Sequence, residues 1–223
     1  MTTAKKISKF FLLLVIFPVL LSVSVSCSRT KPEITFGFIK LILYERDSNS
    51  VPAEHFSLFI IPQDDDGPEN LEELFIYHDK EQLRWHLKSD EWINYKHEGK
   101  DWIGTRSLAS HDDVLPKGVF RVVLVNKGGE SSERDFTFDG NVNYPFPQLE
   151  ISSGIYTIIS EWPVHYLVCY DRTGNYIETK DITSFSGSIS ELHLSQSVRT
   201  VALWADDEAN FCSAFTNTVL LNK

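Results

Sequence analysis

The sequence is short of positive charge. Its 21 Lys and Arg face 31 Asp and Glu, a formal net charge of −10. Such a surface repels nucleic acid and anionic lipid headgroups, favours solubility, and tolerates basic partners or divalent cations. Catalytic signatures are missing as well. The chain has no Gly-x-Ser-x-Gly elbow, Walker loop, dinucleotide fingerprint or His-Glu-x-x-His, which removes the motif-bearing hydrolases, nucleotide-binding enzymes and zincins. Seven histidines, His55, His78, His86, His97, His111, His165 and His193, fall at no metal-ligand spacing. His78-Asp79 and His111-Asp112-Asp113 are suggestive pairs that solvated loop or strand-edge positions explain better. With 31 acidic residues, carboxylate pairs are inevitable, and the two facing carboxylates of a glycosidase cannot be read from a linear chain. Methionine occurs only at position 1 and cysteine only at 27, 169 and 212.

What is present begins with an export signal. Lys5, Lys6 and Lys9 precede an apolar run over residues 10–21 broken only by Pro18, and small residues alternate with valine up to Cys27. That order of positive, apolar and small-residue regions is secretory. Residues 10–25 number 16, short of the roughly 20 that span a bilayer. Arg29 and Lys31 on the far side argue against a stop-transfer helix. Removing residues 1–26 takes three lysines and no acidic residue, so the formal charge moves from −10 to −13.

The junction Ser24-Val-Ser26-Cys27-Ser28 resembles the signal of bacterial lipoproteins of the spirochaete type, whose lipobox is relaxed; Ser24 stands where leucine is typical. The resemblance implies that the Cys27 thiol is diacylated and becomes the first residue of the mature chain. It also implies anchoring in the bacterial cell envelope, since two or more acyl chains hold a protein stably to a membrane. Ser28, not aspartate, follows the cysteine, which by the same resemblance permits the outer membrane.

Aromatic content is 13%, from 15 Phe, 8 Tyr and 5 Trp. Together with short runs of Val, Ile, Phe and Tyr this bias predicts strands. Residues 33–45 and 56–61 read as the first two, separated by Asp47-Ser-Asn-Ser50 and Pro52. Residues 82–88 alternate, with Leu83, Trp85 and Leu87 against Arg84, His86 and Lys88. His97-Glu98-Gly99-Lys100 marks one hairpin turn and Asp171-Arg-Thr-Gly-Asn175 another. Residues 181–197 are serine-rich and read as loop or one short helix, and residues 215–221 read as the last strand. Gly154-Ile-Tyr-Thr-Ile-Ile159 echoes Gly118-Val-Phe-Arg-Val-Val123, which supports a second β unit.

The sharpest local signal is the hairpin of Val119-Phe-Arg-Val-Val-Leu-Val125 and Arg134-Asp-Phe-Thr-Phe138 around Asn126-Lys-Gly-Gly129. It resembles the last two strands of an immunoglobulin or fibronectin type III sandwich, with Phe120 near the usual corner tyrosine and Trp85 where a buried tryptophan lies. Residues 33–139 contain no cysteine, so the antibody Cys–Trp–Cys pattern is missing. The expectation is a mostly β chain, an antiparallel sandwich over 33–140 and a smaller β-rich domain over 149–223. Residues 27–32 form a lipidated tether and the proline-bearing stretch 141–148 a linker. In an oxidising envelope Cys169 and Cys212 either form a disulfide or sit as two buried thiols.

Three sites follow from these patterns. Asp64-Asp65-Asp66-Gly67 is the best candidate ion site, for calcium, because that ion takes several oxygens on a sharply bent turn, although a solvated acidic turn explains it better; Pro62 excludes the EF-hand register. Trp92, Tyr95 and Trp102 flank the first hairpin and form a candidate binding surface, although core packing would also use them. Cys27 is the lipidation site. The function expected is a non-catalytic binding or scaffolding role toward an envelope or extracellular macromolecule, held at the membrane by lipid, with no nucleic-acid partner. The alternatives are an envelope enzyme acting on polysaccharide or peptidoglycan, and a calcium- or small-ligand-binding module on Asp64, Asp65 and Asp66.

Overall fold

The computed structural model describes residues 30–46, 51–111 and 114–221. Cys27, the proposed signal and Asp112-Asp113 lie outside the described residues. Sixteen strands follow one another, with short 3₁₀ turns and no α-helix among the described residues. They are β1 (Glu33–Tyr44), β2 (Ala53–Gln63), β3 (Leu71–His78), β4 (Leu83–Lys88), β5 (Ile93–His97), β6 (Lys100–Ala109), β7 (Gly118–Asn126) and β8 (Ser131–Phe138). After them come β9 (Gln148–Ser152), β10 (Ile155–Ile159), β11 (Val164–Tyr170), β12 (Tyr176–Ile182), β13 (Ser186–Ser188), β14 (Thr200–Asp207), β15 (Cys212–Phe215) and β16 (Val219–Leu220).

A nine-stranded sheet runs β12-β11-β14-β15-β1-β2-β6-β5, with β16 beside β14. Two smaller antiparallel sheets, β4-β3-β7-β8 and β13-β10-β9, accompany it. Hydrophobic alternation places them. Leu41 and Leu43 of β1 and Phe56, Leu58 and Ile60 of β2 share one core with Leu74 and Ile76 of β3 and Phe120, Val122 and Leu124 of β7, so the four-stranded sheet covers one half of the large one. Leu167, Cys169, Val201 and Leu203 share a second core with Tyr156 and Ile158 of β10, so the three-stranded sheet covers the other half. Burying each such large side chain stabilises by roughly 1.5–3 kcal/mol. Exposed ion pairs such as Lys96–Asp101 contribute about 0–1 kcal/mol, and the two cores therefore carry the fold.

The large sheet is mixed, because β1 pairs β15 in parallel, Leu41 opposite Cys212 and Tyr44 opposite Phe215. It runs through both stretches that the sequence separates. Residues 141–148 lie against the first core through Val142, Tyr144 and Phe146, and the Trp162 indole donates to the Pro145 carbonyl at 3.0 Å. Serine-rich residues 181–197 hold the end of β12, the short strand β13 and a 3₁₀ turn, Ile189–Leu192. Residues 215–221 do not form one strand. Thr216 donates its N–H to Leu203 and its hydroxyl accepts from the Leu203 N–H at 2.9 Å, which breaks the run between β15 and β16.

The three hairpin signals are present as read, β11 and β12 pairing around Asp171 to Asn175. β7 and β8 pair from Gly118↔Phe138 to Val125↔Ser131. β5 and β6 meet at Glu98 and Gly99, both at positive φ, the geometry of a type I′ turn. Phe120 is fully buried. Trp85 is only half-buried, packing at the rim of the first core with its indole N–H on the Ala109 carbonyl at 2.8 Å.

Candidate binding surface

One face of the large sheet meets the two cores; among the described residues the other is clothed by its own side chains. Period-two alternation sends Leu41 and Leu43 of β1 inward and Phe36, Phe38, Lys40 and Tyr44 outward, and aromatic residues dominate the outward set. At one end Trp102 lies 5.9 Å edge-on from Phe36 and 5.7 Å from Phe38. Phe38 stacks on Phe59 at 6.0 Å, and Tyr95 meets Phe59 edge-on at 6.3 Å. Phe36 is 52% exposed and Tyr95 44%.

Further along, a second aromatic row crosses five strands. Tyr166 of β11 lies 4.7 Å from Trp204 of β14, which stacks on Phe215 of β15 at 5.6 Å. Phe215 stacks on Tyr44 of β1 at 5.9 Å, and Tyr44 meets His55 of β2 at 5.0 Å. Register produces the row: Tyr166↔Trp204, Trp204↔Phe215 and Tyr44↔Phe215 are cross-strand partners, the positions where sheet side chains meet. Between the clusters, Lys40 bonds Asp206 at 2.5 Å, and Asp206 also accepts from the Ser213 hydroxyl at 2.6 Å. Burial raises the Tyr44, Tyr166 and Tyr170 hydroxyls above their ordinary range; the Arg106 charge opposes this at Tyr44 and Tyr170.

Of the three aromatics expected to face a ligand, the structure brings Tyr95 and Trp102 together as register partners on β5 and β6. Trp92 is different. It sits on the bend before β5, its N–H held by the Lys88 carbonyl, and its ring drops into the first core at 7% exposure. Core packing took it, as a sandwich needs large inward side chains. A groove of about 410 Å³ is nonetheless lined by Trp92, Tyr95 and Trp102 together and reaches Asp64. Sequence reading missed Phe36, Phe38 and Phe59, because their run is apolar on both faces and offers no alternation.

The acidic turn is a local clamp. Asp64 accepts from the Asp66 N–H at 2.9 Å, from the Asn70 amide at 3.2 Å and from the Asn126 amide at 3.2 Å. Asn126 also donates to the Thr30 carbonyl at 2.9 Å, and the Thr30 hydroxyl to Asp66 at 3.3 Å. Desolvation pushes the Asp64 carboxyl up, but these donors together outweigh it and hold it below the ordinary carboxylate range. The Asp64 carboxylate is engaged by these donors, and Asp64, Asp65 and Asp66 form no cluster of metal-ligand geometry among the described residues.

The His78-Asp79 pair is structural too. His78 is buried; its Nδ1 accepts from the Glu81 N–H and its Nε2 lies 3.2 Å from the Lys117 carbonyl, placing the ring proton on Nε2. Asp79 instead turns to a two-point bond with Arg121, at 2.9 and 3.0 Å. Cys169 and Cys212 are both buried, the first in the second core and the second in the first. Cys169 faces Val201 and Cys212 faces Asp207 on opposite sides of β14, about 20 Å apart at ~3.3 Å per residue. A disulfide needs Cα atoms within about 7 Å, so the pairing alternative gives way to two thiols.

These elements define a class of architecture, two β-sandwich cores sharing one curled sheet. No family model and no curated protein matches the chain. Among solved structures it is similar to Tp47, the 47-kilodalton lipoprotein of Treponema pallidum, at 11% identity and a TM-score of 0.46, over 88% of this chain and 52% of that one. It is similar to dimeric latent PorU from Porphyromonas gingivalis at 13% identity and a TM-score of 0.33, over 86% of this chain and 20% of that one. Similarity to murine CEACAM1b is 8% identity with a TM-score of 0.27, over 84% and 99% of the two chains. The chain thus spans about half the length of Tp47. At these identities and scores the likeness is one of distant β-rich shape alone.

Proposed function

We propose that this chain is a non-catalytic, lipid-anchored protein of the bacterial cell envelope that binds a macromolecule through the outer face of its large sheet. The observation that supports the reading is the aromatic clothing of that face, with Phe36, Ile93 and Tyr95 exposed and no strand or loop of the described residues laid over them. Exposed apolar patches on a soluble body mark interaction sites, and aromatic residues are the side chains enriched there. The anchor rests on the signal-like sequence ending at Cys27.

Photo-crosslinking in the native cell tests the face. A photoreactive phenylalanine at position 36 or 95 is expected to yield macromolecular adducts, while the same group at Val119, equally exposed on β7 of the small sheet, yields none. Equal labelling from all three positions, or none from any, removes the reading. The anchor is read separately: intact mass and detergent partitioning should show a diacylglycerol-sized addition that Cys27→Ala abolishes.

A further inference from the structure

We propose that the partner engages this protein as an extended polypeptide, added as a strand to the unpaired edge of β1 and carrying basic side chains. The inference rests on the reading of the outer face as a binding surface and names the chemistry of what it binds.

Strand β1 is twelve residues long and pairs with β2 along its whole length, from Glu33 to Tyr44. On its other side β15 pairs only with Leu41 to Tyr44. Among the described residues no strand pairs with the first eight residues of β1 on this side; β8 packs beside them without joining the ladder. The 3₁₀ turn Glu208–Asn210 and Phe211 end the β14–β15 hairpin there, and the Leu41 N–H donates to the Phe211 carbonyl at 2.9 Å. That bond fixes which way the backbone points. Because a strand's polar groups alternate sides with period two, the N–H and C=O of Gly37 and Ile39 face the same unpaired side as those of Leu41. The carbonyls of Ile34 and Thr35 are already used, both accepting from the Arg134 guanidinium of β8. Among the described residues, Gly37 and Ile39 are what remains.

A groove of about 480 Å³ runs along this edge, walled by Phe36 to Ile39 on one side, Phe136 to Asn143 on the other and Phe211 at the end. Its volume lies within the roughly 300–1,000 Å³ of small binding sites. Two properties select the occupant. Alternating donors and acceptors at about 6.6 Å spacing are matched by another extended backbone, as in strand addition to a sheet edge, and not by a sugar ring or an acyl chain. The charge is the second: among the described residues Asp139 is the single ionisable side chain lining the groove, the nearby Lys117 ammonium being held by Asn141, on a chain of net charge −10, so basic residues on the incoming strand are favoured. Phe36 and Phe38 line the groove and also belong to the outer aromatic cluster. Outward side chains of an added strand would therefore continue that face, while inward ones would meet Phe136 and Phe138.

Exposed sheet edges are normally blunted by charge, proline or cover. Here β8 is blunted by Arg134, but the β1 edge carries glycine and aromatics between Thr35 and Lys40.

The test uses the full chain purified in detergent and a blocked seven-residue peptide alternating valine and lysine. The lysine peptide is expected to bind with a Kd of roughly 10–100 μM and to slow amide exchange at Gly37 and Ile39 by about tenfold or more. Methylating its backbone nitrogens, or replacing lysine by glutamate, should weaken binding about tenfold. Asp139→Asn should erase the lysine-over-glutamate preference without moving the melting temperature. Absence of binding up to about 1 mM, unchanged affinity on backbone methylation, or binding that leaves the Gly37 and Ile39 amides exchanging freely overturns strand addition. So does a glycan that protects the same amides better than the peptide. If the peptide fails while crosslinks from positions 36 and 95 persist, strand addition falls and the binding face stands; if the crosslinks vanish as well, both fall.

Discussion

Single positions decide how closely the strands of the large sheet approach. Gly104 of β6 faces Phe59 of β2 and Ile93 of β5, next to the β2 register shift between Phe56 and Leu58. A Cβ there would lie 2.0 Å from the Leu58 carbonyl oxygen and 2.7 Å from the Phe59 Cα. Both are backbone atoms that no rotamer change can move. Gly104→Ala is therefore expected to destabilise by about 3 kcal/mol or more, at or above the usual overpacking cost, seen as a lower denaturant midpoint. Gly37→Ala offers the contrast, since its Cβ would meet only ring-end and methyl atoms of Phe136 and Ile60, and should cost about 1–2 kcal/mol. Equal effects would mean that β2 and β6 can part cheaply. Cysteine chemistry belongs to the same scale. Burial, with the Asp207 carboxylate adding to it, pushes the Cys212 thiol up to about 11, and thiolate is the reactive form. At pH 8 the folded protein should resist alkylation at Cys169 and Cys212, both should react in denaturant, and reductant should leave the melting temperature unchanged. A reductant-dependent drop would reinstate the disulfide.

At the scale of elements, the aromatic row is a brace. Phe215 lies between Trp204 and Tyr44 with both rings stacked on it, on the four-residue strand β15 that joins β14 to β1. Phe215→Ala would remove two ring contacts, worth about 0.5–1.5 kcal/mol each beyond area. Because the ring is half-exposed, the total is expected near 2–3 kcal/mol, below the 3–5 kcal/mol of a fully buried phenylalanine. Tyr176→Ala, 62% exposed at the start of β12, should cost under about 0.5 kcal/mol. Chemical denaturation of both variants measures the difference. The elements also show what a linear reading can reach. The β5–β6 and β7–β8 hairpins were legible because turn residues and alternation are local, and Leu83, Trp85 and Leu87 do lean inward together while Arg84, His86 and Lys88 are exposed. The β1–β15 pairing joins residues some 170 positions apart, which no local pattern encodes. The run Ile34-Thr-Phe-Gly-Phe-Ile39 reads as apolar on both faces since one face fills the core and the other builds the outer surface. Half of the candidate surface was hidden for that reason, and the choice between core and surface for Trp92 was not legible because a bend, not the strand's period, sets its direction.

For the whole molecule, two cores and one sheet make opposing demands. Separate cores favour separate unfolding, whereas an unbroken sheet favours a single cooperative transition. The coupling is substantial. Ala205 and Cys212 of the C-terminal strands sit in the first core although Val201 and Leu203 of the same β14 sit in the second, so β14 cannot leave one core without disturbing the other. The β1–β15 ladder adds backbone bonds whose loss would bare two edges at once, and unpaired edges invite aggregation. The expectation is one transition. Leu203→Ala in the second core, fully buried, should destabilise by about 2–5 kcal/mol and lower the midpoint reported by Trp92 in the first core as much as the overall circular dichroism midpoint, coincident probes being the mark of two-state unfolding. If Trp92 instead keeps its wild-type midpoint while the circular dichroism signal falls in two steps, the halves unfold independently. Residues 149–223 would then merit study as a unit of their own, with the β1 edge exposed during normal partial opening.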